Sequence, residues 1–285
     1  MSTLSVNGTS LEYREQGEGP PLVLVHGSAS DYRTMQPQQD ILSQQYRTIA
    51  YSRRYHWPNE QIAPEADYSM YEHVNDLEAV LHALDAAPAH LVGHSYGAVL
   101  CLLLAMNKPE LVRTLVLAEV PAIRLFISND PKPLEILKLL VTRPRTAAAV
   151  VKFGATGLGP ATSLAKKEDM EAAMEKFGKA VLGPDFYNRL SQDRLEQVRA
   201  NAIRAEFTGS RMVALDDDKV RRVQAPTLLL NGSQSPDLFH HLADRLAELL
   251  PHSEQVEISN ASHILHEDNP AEYNQAVLSF LAKYH

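Results

Sequence analysis

Ser95 stands at the centre of a Gly-x-Ser-x-Gly pattern at residues 93–97, the stretch of this sequence with the clearest chemical meaning. Where a strand ends at such a pattern and a helix begins, a tight turn lifts the serine hydroxyl above the strand. Gly93 and Gly97 suit that turn because a Cβ at either position would meet neighbouring backbone. Five residues also recur by chance, but an apolar run precedes this pattern and a helix of small and apolar residues follows it. We therefore predict a nucleophile elbow with Ser95 as the nucleophile.

The elements around this elbow alternate between strand and helix patterns. Residues 4–15 read as a hairpin with an Asn7-Gly8 turn, the strongest short hairpin signal. Further strands are predicted at 21–25, 46–51, 114–118, 227–231 and 255–258, and most of them are continuous apolar runs, typical of strands buried on both faces. Strands that alternate with helices indicate an α/β fold with a doubly wound, mostly parallel sheet.

A helical insertion, residues 122–222, interrupts this alternation. It contains predicted helices at about 133–142, 166–181 and 186–207, and more Lys and Arg than Asp and Glu, whereas the whole chain has a net charge of −8. Sheets of this type bind ligands at the carboxyl edge of their strands. We expect the insertion to form a cap over that edge, with residues 1–121 and 223–285 as the core.

Composition excludes several classes of function. A net negative chain without a dense basic patch is a poor nucleic-acid binder, and no apolar run of about 18 residues exists to span a membrane. The first residues are polar and carry no signal-peptide pattern. Cys101 is the single cysteine, predicted as buried filler, so a cytoplasmic location is expected. His240 and His241 lack the spacing of a metal site. The expected partner is a small-molecule substrate, and a homodimer is left open.

Three motifs together give the chain a resemblance to a known family. His26-Gly27 follows an early strand, the elbow lies at 93–97, and Asn260-Ala261-Ser262-His263 follows the last strand. In order and spacing, over nearly the whole length, the chain resembles an α/β-hydrolase with a helical cap. The resemblance implies a nucleophile, an acid and a histidine in that chain order, with no cofactor and no metal.

The resemblance implies His263 as the base that removes the Ser95 proton. A serine hydroxyl is a weak nucleophile until an adjacent base activates it. His263 follows the final strand, as this chain order requires. His266, three residues further from the strand end, is the competing candidate.

The oxyanion hole in this family is made of backbone N–H groups. One belongs to the residue after the nucleophile, Tyr96, and the other to the loop after the early strand. Ser28 is the preferred second donor and Ala29 the fallback. We expect His26 to support this loop by hydrogen bonding rather than to take part in the chemistry.

The acid is the point at which the sequence departs from the family pattern. Most relatives carry an aspartate three residues after the glycine that ends the penultimate strand, but here that position is Ser235. Asp237 is an alternative, although it also reads as a first-turn acid behind an N-cap serine. Glu119 directly follows the strand after the elbow helix, where some relatives place the acid. A buried carboxylate is costly unless paired, so Glu119 is preferred over Asp237.

Two features bear on substrate binding. Arg53 and Arg54, in a predicted loop at 52–67, suit a substrate carboxylate, but solvated arginines paired with the acidic core surface are the favoured interpretation. Apolar residues of the insertion are candidates for an acyl pocket, although most are expected to pack between helices: Leu125, Phe126, Ile127, Phe153, Phe186, Tyr187 and Phe207.

The sequence therefore favours a cofactor-independent serine hydrolase that acts on a carboxylic ester, lactone or thioester. A serine nucleophile argues against the relatives that use an aspartate, such as epoxide hydrolases. Acyl transfer, hydrolysis of a carbon–carbon bond and cofactor-free oxygenation remain open alternatives on the same triad, since function resides in the site rather than in the fold. A non-enzymatic ligand receptor on the same scaffold ranks last, because all the triad residues are present.

Overall fold

Eight strands form one sheet in this computed structural model, which describes residues 2–63, 68–129, 132–208 and 212–284. The strands are β1 (Ser2–Val6), β2 (Thr9–Gln16), β3 (Pro21–Val25), β4 (Arg47–Tyr51), β5 (Ala89–His94), β6 (Val112–Ala118), β7 (Thr227–Gly232) and β8 (Ser253–Ile258). Their order across the sheet is β1-β2-β4-β3-β5-β6-β7-β8. The hairpin strands β1 and β2 are antiparallel to their neighbours, and the other six strands are parallel. The predicted α/β fold with a mostly parallel sheet is confirmed.

Helices cover both faces of the sheet. Buried side chains of α2 (Met70–Ala83) and α3 (Tyr96–Asn107) form a large apolar cluster with one face, and Cys101 is buried within it, as predicted. On the other face, the cluster includes residues of α14 (Pro270–Leu281) and Leu42 at the end of α1 (Gln36–Leu42). Between β7 and β8 lies α12 (Asp237–Leu249), and a short helix, α13 (Leu265–Asp268), precedes α14. The carboxyl edge of the parallel strands is left for the loops and the helical insertion.

The helical insertion holds α4 (Pro133–Thr142), α5 (Pro144–Phe153), α6 (Gly159–Lys166), α7 (Met170–Leu182), α8 (Pro184–Tyr187), α9 (Gln192–Ala200), α10 (Arg204–Thr208) and α11 (Asp217–Arg221). The helix predicted at 166–181 starts later, because the Asp169 side chain caps α7 by accepting from the Ala172 amide. The prediction of one helix at 186–207 is wrong. Ser191 caps a new helix there, and Asn201 ends it by bonding to Trp57 and Asp31 of the core.

No helix in the described part of the chain is long and apolar enough to cross a membrane. The predicted loop at 52–67 contains neither helix nor strand over residues 52–63, and residues 64–67 lie outside the described residues. The boundaries of core and cap, the cytoplasmic location and the homodimer stay predictions.

Candidate active site

The turn between β5 and α3 holds Ser95 in a strained backbone conformation. Its φ is +50° and its ψ is −118°, a region that side-chain-bearing residues rarely adopt. A Cβ on Gly93 would lie 2.6 Å from the Ala98 Cα, and one on Gly97 would lie 2.2 Å from the carbonyl oxygen of Val25. Both glycines are therefore required by close backbone contacts, as the sequence predicts. The turn has the geometry of a nucleophile elbow.

His263 lies directly beside Ser95. It sits in the loop between β8 and α13, and its Nε2 is 3.0 Å from the Ser95 Oγ. Its ring is almost buried and packs against Phe239 of α12, with ring centroids 4.3 Å apart. This contact fixes the ring plane, so that one nitrogen faces the serine and the other faces the sheet.

Glu119 meets the other nitrogen of His263. Its Oε2 is 3.1 Å from Nδ1, and the residue is fully buried just after β6, with a φ of +53°. Its Oε1 accepts hydrogen bonds from the Gly232 amide at 2.7 Å and the Ser235 hydroxyl at 2.7 Å. The side-chain amide nitrogen of Asn231 also donates to Oε1, at 3.3 Å. These donors are uncharged, and they offset the loss of water around a buried carboxylate.

Asp237, the alternative acid, is not at the site. It is exposed in the first turn of α12, while Glu119 occupies the Nδ1 side of His263. The prediction that Ser235 caps this helix is also wrong, because its hydroxyl bonds to Glu119 and Pro236 takes the N-cap position. Ser235, in the turn that follows β7, therefore does not cap the helix but donates its hydroxyl to Glu119.

The second histidine candidate, His266, is also buried but does not reach Ser95. Its ring packs against His94 at a centroid distance of 4.5 Å. Burial is the main cause that lowers the pKa of His266 to about 4. An imidazole with that pKa is neutral near pH 7, and the geometry assigns the base position to His263 instead.

The loop after β3 packs against the elbow. A Cβ on Gly27 would lie 3.1 Å from the Ser95 Cβ, and Ser28 and Ala29 line the same cavity as Ser95. The Tyr96 amide is the first of α3, and the first amides of a helix have no partner within it. Ser28 and Tyr96 thus lie on the two elements expected to donate to an oxyanion, and their role stays a prediction.

His26 fixes this loop, as predicted. Its Nδ1 bonds to the Gly27 carbonyl oxygen at 2.8 Å, so that nitrogen carries the proton, and its Nε2 accepts from the Arg53 amide at 2.9 Å. Burial and the nearby Arg53 charge lower the pKa of His26 well below its ordinary value. A neutral His26 acts as a structural link rather than as a second base.

A cavity of about 60 Å³ lies above Ser95, between the core and the insertion. The Tyr187 ring lines it, but the other six residues predicted for an acyl pocket do not. The insertion contributes these lining residues: Met174, Phe177, Gly178, Val181, Leu182, Tyr187, Leu190, Arg194 and Val198. Sequence reasoning missed the α7 residues, although their spacing of three and four marks one face of a helix.

Arg53 and Arg54 are buried, which contradicts the expectation that they are solvated. Arg54 pairs with Asp76 of α2 at 2.5 and 2.6 Å. Arg53 pairs with Glu206 of α10 at 3.1 Å and donates to the Gly27 carbonyl oxygen at 3.0 Å. Sequence reasoning did not find Glu206, because no local pattern links positions 153 residues apart.

Comparisons with known proteins agree with this geometry. The sequence model of the alpha/beta hydrolase fold matches residues 20–270. An (E)-2-((N-methylformamido)methylene)succinate hydrolase of Acinetobacter baylyi is 23% identical over 280 residues, 96% of this chain and 95% of the relative.

Two solved structures are similar in fold. The enol-lactonase of Burkholderia xenovorans has a TM-score of 0.75 and 20% identity, over 99% of this chain and 100% of its own. The carboxylesterase CesB of Bacillus subtilis has a TM-score of 0.72 and 22% identity, over 99% of this chain and 91% of its own. At these identities the likeness shows the fold alone.

Proposed function

This chain belongs to the alpha/beta hydrolase fold family, and on that premise we propose that it is a cofactor-independent serine hydrolase. It cleaves a carboxylic ester, lactone or thioester through an acyl-enzyme on Ser95. The observation that carries the proposal is the position of His263, 3.0 Å from the Ser95 Oγ and 3.1 Å from Glu119. Acyl transfer needs a nucleophile in contact with a base, and a base in contact with an orienting acid.

In the first step, His263 Nε2 takes the proton from Ser95 as Oγ forms a bond to the acyl carbon. Before this transfer, the single ring proton of His263 is on Nδ1, which donates it in a hydrogen bond to Glu119. The Glu119 carboxylate stabilises the imidazolium that forms. The acyl oxygen becomes an oxyanion, for which Tyr96 and Ser28 supply amide donors worth about 2.7–4 kcal/mol each.

In the second step, the imidazolium returns its proton to the leaving alcohol or thiol as the C–O or C–S bond breaks. Water then attacks the acyl-enzyme while His263 takes a water proton, and the proton passes to the Ser95 Oγ as that oxygen leaves. The products are a carboxylic acid and an alcohol or thiol, joined in one molecule when the substrate is a lactone. The side chains end in their starting protonation states, so no co-reactant besides water is needed.

The relatives support an acyl substrate. Their names denote a lactonase, a carboxylesterase and a hydrolase of a substituted methylenesuccinate. Two of these three names denote enzymes that act on a lactone or a carboxylic ester. They agree with the proposed ester or lactone substrate, and hydrolysis of a carbon–carbon bond stays the alternative reaction on the same triad.

A substrate panel tests the proposal. Purified protein is assayed against p-nitrophenyl esters, γ- and δ-lactones and acyl thioesters of short chain length, beside the variant Ser95→Ala. We expect turnover in at least one class and a loss of about 10⁶-fold in kcat in the variant, the scale seen when a triad serine is removed. Turnover that persists in Ser95→Ala, or no turnover in any class, would contradict the proposal.

A further inference from the structure

Arg194 is the one permanently charged side chain among the described residues that line the cavity above Ser95. The rest of the lining consists of small, apolar or aromatic side chains, hydroxyl groups and the rings of His94 and His263. Ligand pockets generally combine an apolar lining with a few placed polar groups that set specificity. A single guanidinium in such a lining needs a structural or a functional reason.

Glu267 of α13 gives a partial structural reason. The Nε of Arg194 lies 2.9 and 3.2 Å from the two carboxylate oxygens of Glu267, four residues after His263. The contact holds α9 of the insertion against the catalytic loop of the core. It uses only one nitrogen of the guanidinium, which has five N–H donors.

A second nitrogen of the guanidinium lacks a partner in the described part of the chain. The Nη1 of Arg194 is buried and has no hydrogen-bond partner among the residues that the structure describes. A buried donor without an acceptor costs about 1–3 kcal/mol, more when the group is charged. The side chain is only 14% exposed, so bulk water does not replace the missing partner. A ligand in the cavity would supply it.

Arg194 lines the same cavity as the reacting serine. Its charge contributes to lowering the pKa values of His94 and His266, after burial and contacts with neighbouring ionisable groups. His94 directly precedes Ser95, and its Nε2 bonds to the His263 carbonyl oxygen at 2.7 Å. A substrate whose acyl carbon lies at Ser95 can therefore place a second group at Arg194.

We propose that Arg194 binds a carboxylate of the substrate, so that the acyl compound bears a carboxylate besides its scissile bond. The assignment rests on the proposed hydrolase function. A guanidinium matches a carboxylate in plane and donor spacing. The apolar wall of Met174, Phe177, Val181 and Val198 suits a short hydrocarbon stem between the two groups. A phosphate dianion fits less well, because its second charge would face Glu267 with no further cation in the lining.

Protection of Ser95 from a fluorophosphonate reports binding at Arg194 without requiring turnover. The labelling rate is measured with and without succinate, glutarate or adipate, with glutaramide as a neutral analogue and inorganic phosphate as the competing anion. We expect at least one dicarboxylate to protect the wild type. Loss of the charged hydrogen bond in Arg194→Gln should weaken that protection by about 10- to 100-fold.

Two variants separate recognition from packing. Arg199→Gln, on the same helix but exposed and paired with Glu171, should retain the protection seen in the wild type. In Arg194→Gln the Glu267 carboxylate loses its partner, and the double variant Arg194→Gln/Glu267→Gln removes that carboxylate too. Dicarboxylates should protect the double variant as weakly as they protect Arg194→Gln. Each rate is compared with that of the same variant without ligand, so a general loss of reactivity cancels.

The outcomes are distinct. Equal protection by glutaramide, protection by phosphate alone, protection that survives in Arg194→Gln, or no protection by any dicarboxylate would each overturn the carboxylate assignment while Ser95 still labels. If folded wild type does not label at all, the proposed hydrolase function itself fails.

Discussion

Two glutamates in the described part of the chain have buried side chains that are stabilised in different ways. Glu119, at the carboxyl end of β6, accepts from neutral donors, two of them at 2.7 Å, and its other oxygen faces His263. Glu206, on α10 of the insertion, pairs with the permanent charge of Arg53 at 3.1 Å. It also accepts from the Tyr68 hydroxyl at 2.5 Å. Glu206 thus has a permanent counter-charge in Arg53, whereas the ionisable partner of Glu119 is His263.

The two environments produce different functions from the same residue type. Burial alone would raise the pKa of Glu206, but the charge of Arg53 and the hydrogen bond from the Tyr68 hydroxyl hold that pKa well below its ordinary value. The pair joins the insertion to the loop at Gly27 and therefore acts structurally. Glu119 has no such cation, so its charge is available to the His263 imidazolium.

Of the changes that compare the two glutamates, Glu119→Gln should give the largest loss of activity. The neutral amide neither fixes the tautomer of His263 nor stabilises the imidazolium as the carboxylate does, and the equivalent change in a serine protease lowers kcat by about 10⁴-fold. The measurement is kcat on the best substrate of the panel. Asp237→Asn, on an exposed side chain, is the control and should stay near wild type; the reverse pattern would assign the acid to Asp237.

Glu206→Gln should mainly reduce stability. Removing one partner of a buried ion pair leaves Arg53 without its counter-charge, which costs about 3–5 kcal/mol. Urea unfolding near pH 7 measures this difference, with Glu171→Gln, which changes an exposed partner of Arg199, as the control. A destabilisation no greater than that of the control would show that the Arg53–Glu206 pair contributes little.

The same pair predicts a pH dependence. Folding lowers the pKa of Glu206. The charged carboxylate therefore contributes fully to the free energy of unfolding above its ordinary pKa of 4.5, and this contribution is lost as the pH falls toward the folded-state pKa. The stability gap between wild type and Glu206→Gln should therefore be constant from pH 7 to 5 and narrow below about pH 4. Unfolding curves across this range check it, and a gap that widens in acid would contradict the sign.

Ser235→Ala should have the smallest effect. It removes one of the neutral hydrogen bonds to Glu119, worth about 1–3 kcal/mol when a buried acceptor loses its partner, and so lowers kcat by about tenfold. Ser233→Ala, which changes a neighbouring serine that does not contact Glu119, is the matched control. A loss as large as that of Glu119→Gln would mean that Ser235 does more than position the acid.

The sequence indicates the local parts of this site well. The elbow at Ser95 depends on two glycines and a strand–helix junction, all within a few residues. His263 and Glu119 follow strand ends, so the sheet places them at one edge, and the cost of an unpaired buried acid separates Glu119 from Asp237.

The parts that the sequence does not indicate depend on long-range contacts. Burial of Arg53 requires Glu206, 153 residues away on a short helix of the insertion. The helix predicted at 186–207 breaks where Asn201 bonds to the core, a contact that no local propensity encodes. The sequence also did not indicate which apolar residues of the insertion line the cavity, because apolar residues in helical layers look alike until the packing is known.

Intact-mass analysis after treatment with a fluorophosphonate tests the central claim most directly. An activated serine displaces fluoride and gains one phosphonyl group, whereas an unactivated hydroxyl reacts far more slowly. The account predicts a single adduct on wild type and none on Ser95→Ala under the same conditions. Folded wild type that gains no adduct, or an adduct of equal yield on both proteins, would contradict the assignment of Ser95 as the nucleophile.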